Sequence, residues 1–150
     1  KRNWLSSQFL ALAYRLQNEG YSISFSVSPS ERTNWLHIEK QGFQLSSFSD
    51  LSELSTYLYE SGFFIGNDSG IGHLASNLGI PTLTISGNPK RARLWRPDWH
   101  IGHVVTLPFP LPNFKGLYLP IRENFWQRFI SVSRTLNAFY KFRESICKLQ

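Results

Sequence analysis

A chain of 150 residues with 41% hydrophobic side chains is the size of one domain with one core, and no apolar run approaches the roughly 18 residues of a spanning helix. A secretion signal is absent from the opening, and the one cysteine, Cys147, excludes an internal disulfide, so the expected location is the cytoplasm. Charge is lopsided: residues 1–89 hold five basic and seven acidic side chains and residues 90–150 eleven basic and three acidic, a distribution that draws phosphates, nucleic acid or an anionic membrane surface.

Trp4, Leu5, Phe9, Leu12, Ala13 and Leu16 recur at helical spacing, and Gly20 stops that helix. Tyr21 to Val27 alternates strictly and predicts a strand, broken by Ser28-Pro-Ser30. A short helix is expected from Glu31 to about Gln41, then a weak strand at Phe43-Gln-Leu45. Asp50 caps a helix carrying Leu51, Leu54, Tyr57 and Leu58 that ends near Gly62. Phe63-Phe-Ile65 reads as a buried strand. Asp68-Ser-Gly70 turns into a helix with Leu74, Ala75 and Leu78 inward, ended by Gly79 and Pro81. Thr82-Leu-Thr-Ile85 is the next strand. Pro108-Phe-Pro-Leu-Pro112 forbids regular structure and reads as an ordered linker. A long helix from about Asn124 closes the chain, with Phe125, Phe129, Val132, Leu136 and Phe139 on one stripe.

This alternation of helix and strand predicts an α/β fold, a Rossmann-like parallel sheet flanked by helices with a long C-terminal helix. Such a sheet opens on a strand, whereas this chain opens on a helix. With 0 Met and Lys1 first, the expectation is a piece of a longer polypeptide.

The segment Phe63-Phe-Ile-Gly-Asn-Asp-Ser-Gly-Ile-Gly-His-Leu-Ala75 carries the chemistry. It puts Asp68, Ser69 and Gly70 between the carboxyl end of a strand and the start of a helix, where open α/β sheets bind ligands. Free amides and the positive end of the helix dipole attract an anion there. Gly70 lets a phosphate approach the backbone, and the Ser69 hydroxyl can donate to it. Asp68 suits sugar hydroxyls rather than a phosphate of like charge, and His73 follows about one turn into the helix. Helix capping accounts for Asp68 or Ser69 taken singly, and a satisfied, partly buried imidazole accounts for His73. The combination of two glycines with Asp, Ser and His in one turn favours a ligand site.

Three other motifs fail. Gly70-x-Gly72-x-x-Ala75 has dinucleotide spacing, but the next strand ends at Ile85-Ser86 with no acidic residue for a ribose. Gly66 to Gly70 is not a nucleophile elbow. Asp98-x-His100-x-x-His103 has a conceivable metal spacing but stands isolated beside Trp99, so no metal site is assigned.

The stretch Asn67-Asp-Ser-Gly-Ile-Gly-His-Leu-Ala-Ser-Asn-Leu-Gly-Ile-Pro81, followed by Ser86-Gly87 and Trp95-x-Pro97, resembles the C-terminal half of glycosyltransferase family 9, the ADP-heptose:lipopolysaccharide heptosyltransferases. Element order follows that family from about Arg2 to Trp95. The resemblance implies the second half of a two-domain GT-B enzyme that transfers heptose from ADP-heptose or a related nucleotide sugar to a lipopolysaccharide core or other glycolipid acceptor, inverting and without a metal or other cofactor. It implies that Arg2, with Lys1 as competitor, contacts the nucleotide's phosphate or ribose region. Glu31 would hold the ribose, Ser49 to Leu51 would line the adenine, Ser69 and Gly70 would meet the diphosphate, and Asp68 and His73 would face the sugar. The catalytic carboxylate and the acceptor site are expected in an N-terminal domain outside this chain, along with the first strand of this domain.

Lys90, Arg91, Arg93 and Arg96 serve either a diphosphate or phosphorylated acceptor lipid, or simply a solvated face. Phe114, Tyr118 and Leu119, near Lys115, fit either a peripheral contact with the inner membrane or cover for the core and the other domain. The C-terminal helix, with its aromatic stripe, could pack back across an interdomain cleft. Two rival functions stay open: a non-catalytic nucleotide-sugar-binding module, and a basic nucleic-acid-binding domain. The second lacks any basic–aromatic recognition motif, so no nucleic-acid partner is expected.

Overall fold

A computed structural model of the chain describes residues 3–89, 92, 94, 96–107 and 126–148. The linker at 108–112 and the expectations on Lys1, Arg2, Lys90, Arg91, Arg93, Trp95, Phe114, Lys115, Tyr118, Leu119, Asn124 and Phe125 lie outside the described residues. In chain order the elements are α1 (Ser6–Asn18), β1 (Ser24–Ser26), α2 (Arg32–Lys40), β2 (Gln44–Ser46), α3 (Leu51–Tyr59), β3 (Phe64–Asn67), α4 (Gly70–Asn77), β4 (Thr82–Ile85), β5 (Gly102–Val105), α5 (Trp126–Phe129) and α6 (Val132–Cys147). The expected alternation of helices and strands is what forms.

All pairings are parallel: β1 with β2, and β3–β4–β5 in register Phe64↔Thr82↔Gly102. Parallel neighbours need crossover connections, and α2 and α4 supply two of them. Three helices, α1, α2 and α4, end in the same way. After α4, the Ile80 N–H donates to the Ala75 carbonyl and the Gly79 N–H to the Ser76 carbonyl, with Gly79 at φ +80°. That double bond pattern satisfies the last carbonyls and needs a left-handed residue, which glycine adopts at little cost.

Alternation along β3 shows how the layers lie. Phe63 and Ile65 pack toward Trp4, Leu12 and Leu16 of the N-terminal region and Leu136, Phe139 and Phe142 of α6. Phe64 faces the other way, against Leu58 of α3 and Ala75 of α4. The sheet is therefore covered on both faces, α1 and α6 on one and α3 and α4 on the other, as parallel sheets require. β4 is buried at all four residues, as its place between β3 and β5 demands.

Three sequence expectations need correction. The strand over Tyr21–Val27 shortens to Ser24–Ser26, because β2 offers three partners, with one further bond from the Val27 N–H to the Ser46 carbonyl. Gly102–Val105, where no element is predicted, forms β5 and closes the sheet beside β4. The long helix from about Asn124 does not run through: α5 ends at Phe129, and Ser131 starts α6 by accepting from the Arg134 N–H at 3.2 Å. The interruption has a tertiary cause. Ile130 is fully buried, and its carbonyl turns to the Trp4 indole N–H at 2.8 Å and the Gln8 amide at 3.3 Å. Phe129, assigned to the apolar stripe, is in consequence 43% exposed.

Candidate functional site

The β3–α4 turn is built as the sequence predicts. Asn67 is the last residue of β3 and Gly70 the first of α4, with Ser69 as the N-cap in extended backbone. The Ser69 hydroxyl accepts from the Gly72 N–H at 3.4 Å, and its carbonyl from the His73 N–H at 3.2 Å. The hydroxyl proton is not used in that cap and remains available to a ligand. The amides of Gly70 and Ile71, in the first turn, have no intrahelical acceptor. Gly70 is exposed, with nothing within 4 Å of where a Cβ would stand, so a ligand reaches this backbone unobstructed. Here the capping and ligand-binding readings of Ser69 coexist, since they use different parts of one hydroxyl.

Asp68 stands at the carboxyl end of β3 with its side chain 16% exposed. Its Oδ1 lies 3.8 Å from His73 Nε2, too long for a direct hydrogen bond. The two side chains thus present a carboxylate and an imidazole together at the mouth of the turn, with the imidazole the more exposed of the two.

Glu31 follows β1 and immediately precedes α2; the Ser28 hydroxyl donates to its Oε2 at 2.9 Å. Glu31 and Ser28 line the same cavity of about 590 Å³ as Ser69 and Ile71. The loops after β1 and β3, almost forty residues apart in sequence, therefore open into one space. Ser49 and Leu51 flank Asp50, whose carboxylate caps α3 by accepting from the Ser52 N–H at 2.6 Å. Both are exposed, Leu51 at 66%, and neither lines that cavity. Arg2 lies outside the described residues.

Some residues at this edge of the sheet escaped sequence reasoning. The Asn67 side chain accepts the Trp4 N–H at 2.8 Å, tying the entry to α1 to the end of β3. No local pattern signals a bond between residues sixty-three positions apart. Ser86 folds the turn after β4 by accepting from the Asn88 N–H at 3.3 Å. The Trp126 indole packs against Gly87, where an added Cβ would come within 2.2 Å of the ring. This explains the glycine in the Ser86-Gly87 pair without recourse to a ligand.

The Asp98, His100 and His103 spacing gathers no metal set, and among the described residues no group of three His, Cys, Asp or Glu converges. Asp98 pairs with Arg96 at 3.0 Å, and the His103 ring stacks on Phe142 with centroids 6.1 Å apart. Burial, and secondarily the Arg96 charge, hold the His103 imidazole below its ordinary pKa.

A parallel α/β domain with a Ser-Gly helix start at the carboxyl edge of its strands suits an anionic, phosphate-bearing ligand. The sequence profile of glycosyltransferase family 9 (heptosyltransferase) matches residues 1–106, and the chain belongs to that family. Among solved structures it is similar to the glycosyl transferase family 9 of Veillonella parvula, with a TM-score of 0.74 and 19% identity, over 93% of this chain and 41% of that one. The chain thus spans less than half the length of that protein. No curated protein matches it.

Proposed function

We propose that this chain is the donor-binding half of a glycosyltransferase that uses ADP-heptose or a related nucleotide sugar and a lipopolysaccharide core or other glycolipid acceptor. What carries the reading is the family match together with Ser69, the N-cap of α4, lining the same cavity as Glu31; Asp68, Gly70 and His73 stand beside that cavity in the chain but do not line it. In the reaction, the acceptor hydroxyl oxygen forms a bond to the anomeric carbon on the face opposite the nucleotide. The bond from that carbon to the diphosphate breaks, and the diphosphate leaves with the electron pair. Negative charge grows on the leaving oxygens, where the amides of Gly70 and Ile71, the helix dipole and the Ser69 hydroxyl stabilise it. Asp68 accepts hydrogen bonds from the sugar hydroxyls, His73 lies beside it, and Glu31 accepts from the ribose. The acceptor proton passes to a base in the remainder of the longer protein, because Asp68 is committed to the donor side. The intact enzyme inverts the anomeric centre without a metal ion and works in the cytoplasm, peripheral to the inner membrane where its acceptor resides.

Calorimetry or ligand-observed NMR with ADP and an ADP-sugar tests this. The isolated chain should bind with a dissociation constant on the order of millimolar, about −4 kcal/mol. Asp68→Ala should weaken the ADP-sugar far more than ADP, since the carboxylate meets the sugar. Equal losses for both ligands would remove Asp68 from the sugar site, and heptosyl transfer by the chain alone would relocate the base.

A further inference from the structure

The segment between β4 and β5 is pinned from beneath and bare on top. Helical bonds run from the Ala92 N–H to the Asn88 carbonyl at 2.9 Å and from the Arg96 N–H to the Ala92 carbonyl at 3.1 Å. Ala92 is buried, and Leu94, two residues on and so on the opposite side of the helix, is 79% exposed. Pro97 is fully buried, its ring against Gly72 of α4. Beyond it, the N–H groups of Trp99 and His100 both donate to the Ser76 hydroxyl oxygen at 3.1 Å. Ser76 is itself buried, in the last turn of α4. With the backbone held in this way, the Trp99 side chain is 71% exposed. Ala92, Pro97 and Ser76 anchor the segment, and the fold gives Leu94 and Trp99 no inward task.

Charge surrounds these two side chains. Over residues 90–99 the sequence carries Lys90, Arg91, Arg93 and Arg96 against one carboxylate, Asp98, which pairs with Arg96 at 3.0 Å. We propose that Leu94 and Trp99 are the anchors by which this domain docks on an anionic lipid bilayer, with the cations of the same segment meeting the headgroups. Tryptophan seats at headgroup level and leucine in the hydrocarbon beneath, while Lys and Arg are drawn to anionic lipid from within a Debye length. Two other occupants fit worse. A second copy would bring the same excess of cations against itself. A nucleic acid would attract the cations and stack on Trp99, but it offers the aliphatic Leu94 no comparable partner.

The place of the anchors separates them from the donor turn. Ser69 caps the first turn of α4 and Ser76 lies in its last, so Trp99 sits at the end of α4 away from Ser69 and Gly70. Neither Leu94 nor Trp99 lines the cavity that Ser69 shares with Glu31. A bilayer bound here does not compete with the diphosphate for that turn. The inference deepens the peripheral placement proposed above and rests on it, and it gives that placement a face.

The test is co-sedimentation of the chain with vesicles of phosphatidylcholine and phosphatidylglycerol, two to one, with ADP binding followed by calorimetry on the same proteins. Leu94→Ser and Trp99→Ser should each lower the vesicle partition coefficient by about tenfold. Arg96→Gln with Lys90→Gln should lower it about twentyfold, at roughly fivefold for each cation near the surface, and added salt should weaken the parent chain in the same direction. Lys141→Gln with Lys148→Gln, exposed cations of the C-terminal region, should leave it nearly unchanged. Undiminished binding by both serine variants overturns the proposal. So does an equal loss in the Lys141 and Lys148 pair, which would make net charge the cause. Tighter, Trp99-dependent binding to a single-stranded oligonucleotide, or self-association that Leu94→Ser abolishes, overturns it in favour of the other occupants. None of these variants should alter ADP affinity. A parent chain that binds ADP but not the vesicles removes the docking face alone, whereas Trp99-dependent vesicle binding without ADP binding removes the donor role alone.

Discussion

The two sheets of this molecule are built from the same parts to different standards. In β3–β4–β5 the middle strand is buried throughout, and Leu83 and Ile85 sit in the main core at 1% exposure with the Phe139 and Phe142 rings. In β1–β2 the strands are three residues each, partly exposed, and held chiefly by a small cluster of Ala13, Ile38 and Phe43. The β3–α4 turn grows from the well-buried sheet, whereas Glu31 follows β1 of the lesser one. A site lined from both sheets therefore rests on unequally packed supports.

The largest effect should come from the residue that ties the long sheet and α1 to the C-terminal elements. Trp4 is 2% exposed, bonds the Ile130 carbonyl, contacts Phe9 edge-on and anchors to Asn67. Trp4→Ala should lower unfolding stability by about 3–5 kcal/mol. Trp4→Phe should cost less, about 1–3 kcal/mol, mostly for the hydrogen bond to Ile130 left unmade. Denaturant titration checks both, and a loss under 1 kcal/mol for the alanine variant would show that the two regions do not depend on this tie.

Next comes a direct comparison of the sheets. Leu83→Ala and Leu45→Ala both empty a buried leucine site, and such changes cost about 2–5 kcal/mol. Leu83 should fall at the upper end, because helices and strands enclose it, and Leu45 at the lower end, because its exposed surroundings can relax. Equal losses would mean that the short sheet is as firmly packed as the long one.

Smaller still is a pair of serine caps. Ser69 accepts from Gly72 at 3.4 Å and Ser131 from Arg134 at 3.2 Å. Either serine changed to alanine should cost about 0.5–2 kcal/mol of stability. Only Ser69→Ala should also weaken ADP binding, by about three- to tenfold, the value of one hydrogen bond. Unchanged ADP affinity in that variant would reduce Ser69 to a cap.

The smallest effect concerns pH. The His103 pKa is lowered in the fold by burial and by Arg96, so the unfolded chain binds the proton more readily than the folded one. Stability should be level above the ordinary imidazole pKa of about 6.5 and fall as pH drops below it toward the depressed value. His103→Gln should flatten that slope in urea titrations between about pH 5 and 8.

Much of the site was legible because its signals are local. Asp68-Ser69-Gly70 marks a strand end and a helix start within a few residues, and the cap of Asp50 and the glycine stop at Gly79 read equally well. Gly102–Val105 was not legible, since a four-residue strand with Gly and His in it looks like a loop until β4 stands beside it. The break before α6 was hidden for a similar reason: the apolar stripe continues from Phe129 to Val132, and the groups that take up the Ile130 carbonyl, on Trp4 and Gln8, lie more than a hundred residues away.

By itself, then, the sequence determined the order of the elements from α1 to β4, the cap of Asp50 and the glycine stops, and the place of Asp68, Ser69 and Gly70 between a strand and a helix. Each depends on the backbone preferences and hydrogen bonds of residues within about one or two helical turns of each other. Tertiary structure alone decided that Glu31 and Ser69 share a cavity and that Asn67 holds Trp4. Those facts depend on which distant strands become neighbours. That choice is made by burying both faces of a sheet at once, a condition no local stretch of residues can express.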